Sequence, residues 1–369
     1  MKKNNGTQIR TPIRRQRAEE YLLITMLSFA ASVSVTRLFL YLTGYPQLGG
    51  GGLHIAHVLW GGLSLFIASL LPLLFANRWA FNLSALFSGI GVGLFIDEVG
   101  KFITSTNDYF FPWAAPIIYI FFLLTAALYL RISRPKPSDF RSELYYALED
   151  MQEVLDHDLS DREKTDIVRH LENVRRLSKN QSLMTLAVNL EQFIHSSELE
   201  VVPEAPTRWQ EFLKWLEAFE KRHLNRNLYR AILSGALLGL AAWSLYYPLV
   251  VFSAVIYQRD MGPLLMRLVE EELVNSALGI NSFSVMLALE LAAGLLLVIG
   301  AALLGIGRDK RGFSFLYFGL LFSLTVVNVL VFYFDQFSTI ATSSLQFGVL
   351  LLALRYRQRF LSNMDTPPN

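Results

Sequence analysis

The chain contains no cysteine. Disulfides, thiolate metal sites and cysteine nucleophiles are therefore excluded as classes. Charge is scarce as well: 17% of the 369 residues are Asp, Glu, Lys or Arg, against 53% hydrophobic. An ordinary soluble domain carries about 25% charged residues. A nucleotide fingerprint is also missing. Gly89-x-Gly91-x-Gly93 lies inside an apolar run, not between a strand and a helix, so it does not qualify as a dinucleotide loop.

What the chain does have is long apolar runs, several reaching the roughly 20 residues that cross a hydrocarbon core of about 30 Å. Their spacing predicts eight spans, over residues 21–44, 53–75, 79–103, 113–131, 228–257, 283–306, 313–334 and 338–355. The fold class expected is all-α: a polytopic membrane protein with a cytoplasmic helical insert. The segments are a basic tail (1–20), spans one to four (21–131), the insert (132–227), spans five to eight (228–355) and a second tail (356–369). The basic residues before the first run resemble a signal-peptide n-region, but the run is too long for an h-region, so an uncleaved first helix is expected.

Loop charge sets the expected orientation. Arg78, Arg131, Arg134, Arg308, Lys310, Arg311, Arg355, Arg357 and Arg359 fall on the side of the basic tail, while Lys101, Arg259 and Arg267 fall opposite. The excess of Lys and Arg on cytoplasmic loops then puts both termini inside.

The insert reads as several helices. Ser160-Asp-Arg-Glu163 has the spacing of a capping box. Leu144, Leu148, Met151 and Leu155 recur at helical spacing, as do Ile167, Leu171, Val174 and Leu177. His157, His170, His195 and His223 are scattered among charges and read as solvated. Trp209, Phe212, Leu213, Leu216 and Phe219 form a stripe on a helix expected at the membrane interface. Residues 258–282, with Glu270-Glu271-Glu272, read as a short amphipathic helix on the outer face.

The chemistry-bearing residues sit where a membrane span tolerates them least. His54 and His57 open the second span, and Asp97 and Glu98 lie near the end of the third. Ionisable groups inside a span are costly and usually mark function. His54 and His57 share a helix face that continues through Gly61, Ser64 and Ala68. Ala85, Gly89, Gly93, Asp97 and Lys101 make a second small-residue face, and such faces let helices approach closely. The two faces are expected to pack together. Arg37 lies at a similar depth and is the expected partner of Asp97 or Glu98, and Lys101 can reach either. Asp108 lies just outside this layer.

Three readings stay open. In the first, His54, His57 and Asp97 hold a divalent metal (zinc, iron or manganese). Glu98 and Asp97 act as catalytic carboxylates, and Arg37, Lys101 and Asp108 pair with charge or substrate; the result is a hydrolase acting on a lipid or membrane-associated substrate. In the second, the same groups relay protons or ions in a transporter. In the third, they form a buried polar lock in a scaffold or sensor without chemistry. Membrane lipid is the expected partner in each case, with a cytoplasmic protein for the 132–227 insert and no nucleic acid.

The run Leu53-His-Ile-Ala-His57-Val-Leu-Trp-Gly61, followed by Gly91-Val-Gly-Leu-Phe-Ile-Asp97-Glu98, resembles a group of bacterial multi-pass integral membrane proteins with a His-Ile-x-His and Gly-x-Gly-x-x-x-Asp-Glu pattern. That group often has His-Ile-His-His; here Ala56 replaces the middle His, which argues against a three-His site. The resemblance covers about residues 35–130, carries no assigned activity, and implies the bacterial inner membrane. The patterns of membrane CAAX-type proteases and lipid phosphatases are missing. The likeness to alkaline ceramidase-type zinc hydrolases is one of analogy.

Overall fold

A computed structural model describes residues 12–44, 56–134, 139–196, 199, 201–202, 208–256 and 277–361. His54, the linker around 203–207 and the 258–276 part of the outer segment lie outside the described residues. The described residues are all-helical, apart from one isolated bridge between Ser160 and Val202. The helices are α1 (Ala18–Thr43), α2 (His57–Leu74), α3 (Arg78–Ile96), α4 (Val99–Ile103), α5 (Ala114–Ile132), α6 (Phe140–Leu155), α7 (Asp161–Leu177), α8 (Gln181–Ile194), α9 (Arg208–His223), α10 (Arg226–Ile256), α11 (Ala277–Gly305), α12 (Asp309–Phe322), α13 (Asn328–Asp335) and α14 (Thr339–Phe360). A π-helical turn (Ser323–Val327) joins α12 to α13, and a 3-10 turn (Gln336–Ser338) joins α13 to α14.

Among the described residues, seven helical stretches are long and apolar enough to cross a membrane. The last, Asp309–Phe360, is a run of 52 residues in which the two predicted spans 313–334 and 338–355 are continuous by secondary structure. The chain nevertheless reverses at Gln336, which has φ +47°. Asn328 Nδ2 then reaches Ser343 Oγ at 3.0 Å and Gln346 Oε1 at 2.8 Å across the reversal.

The chain forms two compact units, and α1, α2, α3, α5 and α9 each contribute to both. The first holds Met1–Ser28, Leu65–Gly89 and Thr125–Phe212. Its helical insert closes around Ala147, Leu159, Ile167, Leu171, Val174, Ala187 and Ile194. The expected capping box at Ser160 and Glu163 forms in both directions. A second one forms at Asp139 and Ser142.

The buried face of α6 differs from the expected one. Leu144, Ala147, Met151 and Val154 face the core, while Leu148 and Leu155 are exposed. Both rows have helical spacing. The chosen row places Glu143 and Asp150 beside partners: His170 Nδ1 lies 2.7 Å from Glu143 Oε2, and Gln16 and Arg78 donate to Asp150. His170 is therefore a paired residue and not a solvated one.

Arg78, the first residue of α3, is the other organiser of this unit. Its guanidinium donates to Asp150 Oδ1 at 2.5 Å and Glu163 Oε1 at 2.6 Å, and pairs with Glu153 Oε1 at 2.8 Å. It thereby ties the end of a span to two helices of the insert.

The second unit holds Phe29–Ser64, Ile90–Leu124 and Leu213–Asn369. Its largest core joins α10, α11, α12 and α14 around Leu233, Leu237, Leu297, Leu304, Leu316, Leu320 and Tyr356. On α9, Trp215, Leu216 and Phe219 are exposed, while Glu220 is held by Arg355 and Arg359.

Glycines set the close approaches near the polar cluster. A Cβ on Gly61 would lie 2.9 Å from Gly91 O, and one on Gly93 would lie 2.8 Å from Ser32 Cβ. The Gly91 side of α3 therefore meets α2, and the Gly93 side meets α1. The small-residue stripe meets α1 at Gly93, not α2 as expected from the sequence; Asp97, further along the same stripe, meets α1 through Arg37 and α2 through His57. A Gly93→Leu chain has no room for the side chain, so overpacking of about 1–3 kcal/mol is expected, read as a lower unfolding temperature of the purified protein. Unchanged stability would show that α1 and α3 are not in contact there.

Candidate functional site: a buried ion-pair centre

The third predicted span does not run unbroken to residue 103. Helix α3 ends at Ile96, and α4 restarts at Val99. Asp97 and Glu98 occupy the break, with Asp97 N still bonded to Gly93 O and Lys101 N bonded to Glu98 O. This break turns both carboxylates inward: Asp97 is 0% exposed and Glu98 is 1% exposed.

Donors from three other segments converge on Asp97. Arg37 Nε donates to Oδ1 at 2.5 Å, and Arg37 Nη2 donates to the Asp97 carbonyl at 3.0 Å. Tyr109 donates its hydroxyl to Oδ2 at 2.7 Å. His57 Nε2 lies 3.0 Å from the same oxygen. The other ring nitrogen, Nδ1, lies 3.0 Å from Glu98 Oε1. That Glu98 oxygen has no aligned hydrogen bond, so the second contact is an ion pair rather than a directed bond. Only the imidazolium carries N–H on both nitrogens, so the protonated ring suits two carboxylates best. Lys101 Nζ completes the group, 3.4 Å from Glu98 Oε2.

Arg37 is 5% exposed, and its Nη1 has no hydrogen-bond acceptor among the described residues. Aromatic faces cover it instead. Its Cζ lies 4.1 Å from the Tyr109 ring centre and 3.5 Å from that of Phe337. Cation–π attraction grows when the cation is desolvated, as here. Phe337 arrives from the Gln336–Ser338 turn, and Gln336 Nε2 donates to Phe110 O at 3.2 Å.

The centre thus gathers Arg37, His57, Asp97, Glu98 and Lys101, five of the residues singled out from sequence. Asp108 does not join through its side chain, which accepts from Phe110 N and shapes its own turn. Its carbonyl instead meets the face of Gly100, where a Cβ would lie 2.6 Å from it. Tyr109 and Phe337 were missed. Both look like ordinary membrane aromatics in sequence; only Tyr109's position one residue after Asp108 gave a faint signal.

Among the described residues, no group of three or more His, Cys, Asp and Glu is arranged to hold a metal ion. A cation on Asp97 Oδ1 would face the Arg37 guanidinium, and one on Oδ2 would displace Tyr109 and His57.

Comparison with protein-family models, with curated proteins and with solved structures finds no match. The functional argument therefore rests on the geometry.

A second buried polar group lies in the same unit. Tyr119 donates to Leu324 O at 2.5 Å, within the π-helical turn whose widened backbone leaves a carbonyl free. Asn328, the first residue after that turn, bonds Ser343 and Gln346. None of these four side chains stood out in the sequence, because isolated Tyr, Asn, Ser and Gln in apolar runs carry no pattern.

Proposed function

We propose that the protein is a non-catalytic membrane scaffold or sensor with eight spans, in which the Arg37–Asp97 centre is a polar lock. The observation that carries this reading is the set of donors that this chain turns onto Asp97. A fully buried carboxylate has both oxygens engaged by Arg37, His57 and Tyr109. Three of its roughly four lone-pair sites are thus taken by donors of this chain. The hydrolase reading needs His57 and Asp97 to direct lone pairs at one metal; the present arrangement instead turns donors onto Asp97 and carboxylate oxygens onto both His57 nitrogens. The eight-span count takes the Asp309–Phe360 run as two spans reversing at Gln336.

Orientation follows the loop charges, with both termini cytoplasmic in a bacterial inner membrane. The insert then faces the cytoplasm, and its outward Leu148 and Leu155, 47% and 79% exposed, suit a protein partner. Lipid surrounds the spans.

Metal analysis of the purified full-length protein tests the reading. No stoichiometric zinc, iron or manganese is expected, and the wild type and a His57→Ala variant are expected to match. A stoichiometric metal in the wild type that His57→Ala loses would overturn the lock and restore the metal-dependent hydrolase.

A further inference from the structure

Helices α11 and α12 are joined by the short turn 306–308, where Gly307 takes φ +84°, a backbone geometry that favours glycine. Arg308 closes the turn, and Lys310 and Arg311 follow at the start of α12; all three are exposed. Arg226 and Arg230 reach the same place from α10. Both are held by Asp309, which is 4% exposed. Arg226 Nε donates to Asp309 Oδ2 at 3.0 Å, and Arg230 Nη1 donates to Oδ1 at 3.3 Å. Tyr356 donates its hydroxyl to Oδ2 at 2.9 Å. The one carboxylate of the cluster is thus occupied from within. Arg308 and Arg311 make no ion pair or hydrogen bond through their side chains among the described residues.

These groups border an open cleft of about 510 Å³, lined by Arg226, Arg308, Lys310 and Arg311 with Asp309 as the acid among them. An apolar stripe leads away from the cleft. Arg311, Phe315 and Phe318 follow at i, i+4 and i+7, which places them on one face of α12. Phe315 and Phe318 are both exposed, as is Ile306 in the turn. With α11 and α12 read as spans, the turn between them lies at a membrane face, and the stripe runs from it toward the bilayer centre.

We propose that this cleft binds the phosphate of an anionic phospholipid, whose acyl chains lie along Phe315 and Phe318. Guanidinium forks match phosphate oxygens. Arg226 and Arg230 are pinned by Asp309, so they lose little freedom when a phosphate docks. A zwitterionic lipid brings its own cation and gains less from the excess positive charge. A water-soluble phosphate ester would meet the same arginines but leave the aromatic stripe uncovered. The inference rests on the span reading of α11 and α12 and is independent of the Arg37 centre.

Photo-crosslinking of the purified full-length protein in nanodiscs tests it. The probe is phosphatidylglycerol with a diazirine in its acyl chain, and the reference is phosphatidylcholine with the same chain. Adducts are mapped by peptide mass spectrometry. The phosphatidylglycerol adduct is expected on α12 around Phe315 and Phe318, with far weaker labelling there by phosphatidylcholine. R308Q/R311Q leaves Asp309 and its partners in place, so it is expected to keep the wild-type unfolding temperature. Its α12 adduct at limiting probe is expected to fall about thirtyfold, as loss of two charges near the surface implies. R131Q/R134Q removes two exposed charges outside the cleft and is expected to leave the α12 adduct unchanged. Equal α12 labelling by both lipids, or an equal loss in R131Q/R134Q, would overturn the site while leaving the spans intact. Competition by free glycerol 3-phosphate as strong as by unlabelled phosphatidylglycerol would overturn the lipid as its ligand. No labelling of any span by either probe would overturn the span reading and the site with it.

Discussion

Arg37→Gln is expected to destabilise the purified protein by about 3–5 kcal/mol, the cost of leaving a buried charge without its partner. The reason is local. Asp97 is fully buried and keeps only His57 and Tyr109 once the guanidinium is gone. The substituted amide also lacks the cationic face that Tyr109 and Phe337 cover. Arg37→Lys is not a rescue, because an ammonium cannot bond Oδ1 and the Asp97 carbonyl at once. The double variant Arg37→Gln/Asp97→Asn is expected to recover most of the loss, since two neutral amides bury at far lower cost. Thermal unfolding in detergent compares the wild type, the Arg37→Gln, Arg37→Lys and Asp97→Asn single variants and the double variant. A double variant as unstable as the sum of the singles would sink the lock, because uncoupled sites add.

Arg78→Ala should cost a similar amount, about 3–5 kcal/mol, but in the first unit. One guanidinium serves Asp150, Glu153 and Glu163, and Asp150 is 2% exposed. Without it, three carboxylates crowd together, with Gln16 still donating to Asp150 and Arg17 and Ser160 to Glu163. Hydrogen exchange should show α6 and α7 losing protection while the core of the second unit keeps its own. The pH dependence has a definite sign. Burial pushes the Asp150 carboxyl above its ordinary range, with the bond from Gln16 and the charge of Arg78 opposing. An acid whose folded pKa is raised penalises the fold when ionised, and that penalty disappears as pH falls through the raised value. The defect of Arg78→Ala should thus shrink on mild acidification. Glu163 runs the other way. Burial raises it, but bonds from Ser160 and Arg78 outweigh burial and hold it below the ordinary range. Its contribution is present above the ordinary carboxylate pKa and is lost as pH falls through the lowered one, so strong acid should unfold the insert in the native chain. A defect in Arg78→Ala that grows steadily from neutral pH downward would contradict the assignment of Asp150.

The sequence alone was enough for the helical class, the apolar runs and the gathering of five charged or polar residues into one layer. Those features depend on composition and on spacing along a helix, which local chemistry dictates. The capping box at Ser160 belongs to the same group, because both of its partners lie within one turn.

Tertiary packing decided the rest. Two rows of α6 had equal claim to the core, and the ion pairs of Glu143 and Asp150 selected the one without Leu148 and Leu155. The face through Gly93 went to α1 because Ser32 lies there, and α2 took the face at Gly91. Tyr109 and Phe337 joined Arg37 through contacts 72 and 300 residues distant in sequence. Arg78 read as a loop charge that orients a span; in the fold it is the hub of three acids. A charge count cannot reveal such a role, because its partners lie on two other helices, α6 and α7, and only packing brings them within bonding distance.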